Sequence, residues 1–349
     1  VRGAFDLPGL GVAVVGVNGA EAIGVDGLRQ RGGDEPLLVS DRVHLGSCAK
    51  AMSATLAAVL VRDGAIRWDS TVREVLGASV ASIDPSWNDI TLIDLLRHGA
   101  PANPPPEAWA AAWQCTDAPR DCRLAFVRAL LESATSQPRG SFTYSNQGYT
   151  IAGAMLEAAT GRDFESLMIE RLLTPLGISS AGFGPTPEAH GHRPNGDVAN
   201  IDNPRVIAPA TGVYMTLEDW GKFVALHLRG DGGAAIPLRS ADFDLLHGIP
   251  ESAPHGEGAN SGAAETQERR ALGWMAAERP WGGRVLMHAG SNTVWFCVAW
   301  LAPERGFALL AVTNQGGSTS AEACDKAVDA ALEWLAPRGA AMKRQASSP

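Results

Sequence analysis

Val43-His44-Leu45-Gly46-Ser47-Cys48-Ala49-Lys50-Ala51-Met52 is the stretch on which the reading of this chain turns. An extended apolar segment leads in and a helical pattern, Ala51 to Val61, leads out, so Ser47 is expected at or near a helix N-terminus. Lys50 follows three residues later on the same helix face, where its ammonium can reach the serine oxygen. A serine hydroxyl is a poor nucleophile until a neighbouring base takes its proton. A lysine can be that base when burial or nearby cations lower its pKa. Taken alone, Ser-x-x-Lys occurs by chance in many proteins, and a helix-capping serine beside a solvated lysine is the competing reading.

Outward from this stretch, strand patterns lie at both ends of the chain and helical patterns dominate the middle. Residues 12–17 read as a strand, Asn18-Gly19 as a hairpin signal, and 20–25 as the returning strand. Helical patterns cover Asp69 to Leu76, Ile90 to Arg97 with Thr91 as cap, Leu124 to Ser133, Gly148 to Ala159 ending at Gly161, Phe164 to Leu173, and Leu217 to Leu228. Residues 101–106 read as a Pro/Ala-rich stretch, and 181–209 and 249–268 as loops. Period-two or short apolar runs return at Leu272 to Met275, Arg284 to His288, Val294 to Leu301 and Phe307 to Thr313, with Pro303 to Gly306 turning between the last two. Ala321 to Leu335 reads as a closing amphipathic helix and residues beyond Arg338 as a frayed tail. The expected fold is α/β: an antiparallel sheet flanked by helices, built from 1–62 and 205–349, with a mainly helical insert at 63–204.

Two further clusters carry chemistry. In an extended loop Tyr144 and Asn146 point the same way, offering a phenol and an amide to one cleft, where a phenolate beside a lysine can carry protons. His288-Ala289-Gly290-Ser291 closes a strand pattern; Gly290 is expected to let a substrate backbone approach closely, and the N–H of Ser291 can pair with that of Ser47 as an oxyanion hole. Each alone has a bland reading, as surface loop chemistry or a satisfied strand-end histidine.

Together and in this order, Ser47-x-x-Lys50, Tyr144-x-Asn146 and His288-x-Gly290 resemble the three signature elements of the serine β-lactamase and penicillin-binding-protein superfamily. The Tyr-x-Asn form looks like the class C β-lactamase branch, with its relatives the D-alanyl-D-alanine carboxypeptidases, D-aminopeptidases and family VIII carboxylesterases. Ile90 to His98, Phe142 to Tyr149, Pro175-Leu176-Gly177 and Pro209 to Tyr214 also look like family segments, so the resemblance runs from about residue 8 to 335. It implies Ser47 as the acylated nucleophile, Lys50 and Tyr144 as base or proton relay, and Asn146, His288, Gly290 and Ser291 around the substrate. Many β-lactamases carry Lys where His288 stands, and an imidazole with a reference pKa near 6.5 is mostly neutral at pH 7. That disfavours an efficient β-lactamase. Cys48 is expected to point away from Ser47 and to pack. The resemblance therefore implies a serine hydrolase that cleaves a small ester or amide, of carboxylesterase or D-amino-acid peptidase type, with weak β-lactam hydrolysis. The alternatives are a class C-like β-lactamase and a penicillin-binding module that acylates without turnover.

Composition bounds the rest. The 349 residues are 45% hydrophobic and 19% charged, with a formal charge of −9 and no Lys/Arg cluster, which argues against nucleic acid and anionic membrane partners. No apolar run approaches the roughly 18 residues that span a bilayer. Partners are expected to be small-molecule esters, amides or β-lactams. Of five cysteines, Cys115 and Cys122 share a polar loop, where a small disulfide and two free thiols are equal expectations; Cys297 and Cys324 read as buried small hydrophobes. His190-Gly191-His192 lacks a carboxylate at ligand spacing, and no metal or organic cofactor is expected. Trp109, Trp113 and Trp295 are candidates for lining the cleft, Trp295 foremost, with core packing as the competing reading. The chain opens on Val1 without a visible signal peptide, and a periplasmic or secreted location is expected over a cytoplasmic one.

Overall fold

A computed structural model describes residues 1–248 and 271–346, with side chains described through residue 335. The expected surface loop at 249–268 lies outside the described residues. The strands are β1 (Gly9–Gly16), β2 (Gly19–Gly27), β3 (Val43–His44), β4 (Gly182–Phe183), β5 (Val213–Met215), β6 (Met275–Arg279), β7 (Gly283–Ser291), β8 (Phe296–Ala302) and β9 (Phe307–Thr313). The helices are α1 (Ala49–Arg62), α2 (Val72–Leu76), α3 (Leu92–Leu96), α4 (Pro106–Gln114), α5 (Pro119–Leu131), α6 (Asn146–Thr160), α7 (Phe164–Met168), α8 (Ala208–Thr211), α9 (Leu217–Arg229), α10 (Ser240–Leu246) and α11 (Ser318–Ala346).

Six strands form one sheet in the order β2-β1-β9-β8-β7-β6, and every neighbouring pair is antiparallel. The two ends of the chain do build a single sheet, because β1 pairs with β9, Leu10 opposite Thr313. Alternation along each strand sorts side chains to two faces. Leu10, Val14, Val298 and Leu309 meet Ala323, Cys324, Ala327 and Val328 of α11. Ala13, Val15, Cys297, Leu301, Leu310 and Val312 turn the other way, into the main core shared with α1, α9 and the helical middle. At the first hairpin Gly16 pairs with Gly19, so Val17 and Asn18 form the tip and Gly19 (φ 123°) takes the conformation that a side chain resists.

Local chemistry places the middle helices. Thr71 and Thr91 close reciprocal capping boxes with Glu74 and Asp94. Ser145 caps α6 by accepting from Gly148 N, and Gly161 (φ 74°) ends it. A small sheet, β3-β5-β4, anchors the approach to Ser47: Val43 pairs with Met215 and His44 with Tyr214.

Several expectations are corrected. α4 follows the Pro-rich stretch unannounced. The loop at 181–209 contains β4, a short 3-10 turn at Arg205–Ile207 and the start of α8. The helix expected over Phe164 to Leu173 widens to a π-helical segment at Ile169–Leu173. The run Leu272 to Met275 is not a strand, because β6 begins only at Met275. Gly273 (φ 74°) instead brings its backbone onto Ala51, where an added Cβ would meet Ala51 N at 2.5 Å. The expected frayed tail is helical as far as Ala346.

Candidate active site

Ser47 lies in a 3-10 turn, Gly46–Cys48, that runs directly into α1. Gly46 has φ 47°, and a Cβ there would collide with the Ser291 backbone, so glycine lets the turn seat against the end of β7. Gly290 does the same from the other side, since its Cβ would strike Leu45 O and come within 3.0 Å of Cys48 N. The two backbones that carry the Ser47 and Ser291 N–H groups are therefore in direct contact.

Lys50 is completely buried. Its Nζ lies 3.0 Å from Ser47 Oγ, 2.7 Å from Asn146 Oδ1 and 2.9 Å from the Ala210 carbonyl oxygen. Burial brings its pKa down from 10.5 to about 7, against an upward pull from Cys48. The partner set then decides where the lone pair goes. Asn146 Oδ1 and Ala210 O can only accept, so they take the two N–H bonds of a neutral amine. The lone pair is left for the Ser47 hydroxyl proton. Nζ also sits 4.7 Å from the centroid of the Tyr144 ring.

Tyr144 is 48% exposed as a residue. Crowding around its phenol end pushes its pKa up to about 12, moderated by a hydrogen bond with Ser47. Its position is fixed from behind. His98 stacks on the ring at 4.7 Å between centroids, and Ser145 N donates to His98 Nδ1 at 3.0 Å. Asn146 is the first residue of α6, so one capped helix start aims both Tyr144 and Asn146 at Lys50.

Period two along β7 turns His288 and Gly290 to the same face as buried Leu286. His288 is itself buried, its Nδ1 2.7 Å from Ala289 O and its ring 6.4 Å from that of Tyr144. Ser291 Oγ accepts from Thr293 N at 3.0 Å and donates to Trp295 O at 2.7 Å. Ser47, Lys50, Tyr144, Asn146, His288, Gly290 and Ser291 thus converge from three parts of the chain.

The remaining expectations divide. Cys48 points away from Ser47 into the core, donating to His288 O at 3.3 Å with its Sγ 3.6 Å from Cys297 Sγ. Cys115 and Cys122 are joined as a disulfide. Trp295 does not line the cleft; it is 2% exposed and its ring packs against Gly191. His192 is buried, its Nε2 accepting from Arg31 N at 2.9 Å. Among the described residues no cluster of His, Cys, Asp or Glu could hold a metal, and no helix is long and apolar enough to cross a membrane. His98 was missed at the sequence level; its signal was position alone, at the end of the Ile90 to His98 segment.

A family model described as Beta-lactamase matches residues 2–333. The chain belongs to the beta-lactamase family. A search of characterised proteins finds penicillin-binding protein 4 of Amycolatopsis lactamdurans, 26% identical over 338 residues, covering 92% of this chain and 84% of the relative. It also finds the unguisins hydrolase ungD' of Aspergillus campestris (strain IBT 28561), 28% identical over 144 residues, 39% of this chain and 26% of that protein. Among solved structures, the octameric penicillin-binding protein homologue from Pyrococcus abyssi superposes with a TM-score of 0.75 over 95% of this chain and 75% of that one, at 19% identity. At that identity the superposition speaks for the β-lactamase-like fold. Members of this family are generally serine hydrolases acting on small molecules.

Proposed function

We propose that this protein hydrolyses a small ester or amide through an acyl-enzyme on Ser47, as a carboxylesterase or D-amino-acid peptidase. The observation that carries the reading is the Lys50 amine, buried and pointed at Ser47 Oγ at 3.0 Å with its other hydrogens spoken for. In the forward step Lys50 takes the hydroxyl proton as Ser47 Oγ bonds to the carbonyl carbon. The N–H groups of Ser47 and Ser291 receive the developing oxyanion, an interaction type in which one donor contributes about 3–4 kcal/mol. The leaving oxygen or nitrogen departs with a proton relayed through Lys50 and Tyr144, whose phenol stays protonated at neutral pH because its pKa is about 12. Water then releases the acyl group by the reverse route. Asn146 positions both Lys50 and the substrate carbonyl side, and His288 borders the acyl pocket. The division into a sheet unit, 1–62 with 205–349, and a helical unit, 63–204, belongs to the same proposal. So does an oxidising, periplasmic or secreted location, which the Cys115–Cys122 disulfide supports.

A second reading, penicillin acylation with slow or fast release, is favoured by the extent of the match to a penicillin-binding protein. An intact-mass time course with benzylpenicillin, with Ser47→Ala as control, separates them. A persistent adduct on the wild type supports the penicillin-binding reading, and an adduct that clears as opened drug accumulates supports a β-lactamase. No adduct, together with turnover of short-chain p-nitrophenyl esters lost in Ser47→Ala, supports the esterase reading. Ester turnover retained by Ser47→Ala would remove Ser47 as the nucleophile.

A further inference from the structure

Behind the site lies a buried polar chain that the chemistry above does not use. His44 is 1% exposed and stands three residues before Ser47. Its Nδ1 accepts the Gly46 N–H at 3.0 Å. An accepting Nδ1 carries no proton, so the ring is the neutral tautomer protonated at Nε2. That Nε2 lies 3.0 Å from Asp202 Oδ1, whose side chain is 5% exposed, a close polar contact outside hydrogen-bond geometry. Asp202 Oδ1 accepts from Asn292 Nδ2 at 3.1 Å. Asn292, 3% exposed, closes the chain by accepting from Trp295 N at 2.9 Å and Val294 N at 3.3 Å through its Oδ1.

The connectivity is what carries meaning. One end of the chain grips the peptide immediately before Ser47, and the other fixes the residue immediately after Ser291. A buried carboxylate is costly unless it is paired, and this one is paired to the two segments whose N–H groups meet the substrate oxygen. We propose that His44 and Asp202 are positioning residues of the oxyanion site, clamping the Gly46–Ser47 turn to the Ser291–Asn292 turn so that the two N–H groups hold a fixed spacing. This inference rests on the acyl-enzyme reading of Ser47. Misplacing a donor by a fraction of an ångström weakens transition-state binding more than ground-state binding, so the effect belongs in kcat.

The experiment compares His44→Ala, His44→Asn, Asp202→Ala and Asp202→Asn with the wild type, using a short-chain p-nitrophenyl ester and an alkyl fluorophosphonate that labels Ser47. His44→Asn places an amide oxygen near the position of Nδ1 and keeps the Gly46 bond. Asp202→Asn keeps the single oxygen that both partners use and loses only the charge. His44→Ala and Asp202→Ala are expected to lower kcat and the labelling rate by about tenfold to a hundredfold with KM within threefold. Asp202→Asn is expected to recover most of that loss, and His44→Asn, which keeps the Gly46 bond but does not reach Asp202, only part of it. Wild-type labelling rates in His44→Ala and Asp202→Ala would overturn the inference. So would an Asp202→Asn variant no better than Asp202→Ala, with kcat and melting temperature falling together at unchanged KM, because that is the pattern of general unfolding. A wild type that the fluorophosphonate does not label at Ser47 would sink the nucleophile assignment and the inference with it, whereas labelled wild type with unaffected variants sinks the inference alone.

Discussion

Replacing Lys50 by Met tests the central electrostatic claim through stability as well as rate. Lys50 is buried with a pKa of about 7, against 10.5 when the chain unfolds and the side chain is hydrated. Between those values the unfolded chain holds a proton that the folded chain lacks, so unfolding free energy rises with pH across that window. Below about pH 7 both states are charged, and the folded protein bears the full penalty of a buried ammonium. At about 1.36 kcal/mol per pH unit the whole window corresponds to about 5 kcal/mol, and the span from pH 7 to pH 9 to about 3 kcal/mol. Methionine has a similar length and no charge. It leaves Asn146 Oδ1 and Ala210 O unpaired, but that cost does not vary with pH. The difference in unfolding free energy, Lys50→Met minus wild type, should therefore fall by about 3 kcal/mol from pH 7 to pH 9. Urea unfolding followed by tryptophan fluorescence at half-unit pH steps measures it, with kcat/KM of the wild type rising through pH 7 over the same range. A stability difference that stays flat from pH 6 to pH 9 would refute the reasoning: Lys50 would then hold its proton throughout and could not be the base.

Tyr144→Phe should lower kcat for ester turnover by about a hundredfold or more, the range of a lost proton relay, while intact-mass analysis still finds Ser47 acylated. Gly290→Ala should cost about 1–3 kcal/mol of stability by overpacking against Leu45 O and Cys48 N, seen as a lower denaturation midpoint, and should slow Ser47 labelling because the same collision spreads the two N–H donors.

Much of the sheet was legible because its strands are apolar runs bounded by turn chemistry, as at Val17-Asn18-Gly19 and Pro303 to Gly306. The pairing of the chain ends followed from finding strands there and helices between. What stayed hidden depends on contacts with distant residues. Leu272 to Met275 has strand composition, yet Gly273 is consumed by close approach to Ala51. β5 is three residues long and exists because β3 and β4 flank it. α4 starts from a proline-rich stretch whose prolines suit a first helical turn but do not announce one. The candidate site residues were legible because Ser47-x-x-Lys50, Tyr144-x-Asn146 and His288-x-Gly290 bring recognisable chemistry at fixed local spacing. The supports His98, His44 and Asp202 show nothing local; their value lies in what they touch across the chain.

The pairing of β1 with β9 has a consequence for how the molecule comes into being. β1 occupies an interior place in the sheet, yet one of its two neighbours, β9, is synthesised after every other strand described. Until β9 is made, β1 and β2 can form only a hairpin with a bare edge, which is marginal in water and prone to seek another partner. Such sequence-distant pairing is slow to form, because the chain must close a long loop before any contact rewards it. Ser47 is synthesised early and meets Ser291 only after that closure. The nascent chain therefore carries Ser47 apart from Ser291 until that closure, and on the proposed reading acylating activity appears only after it.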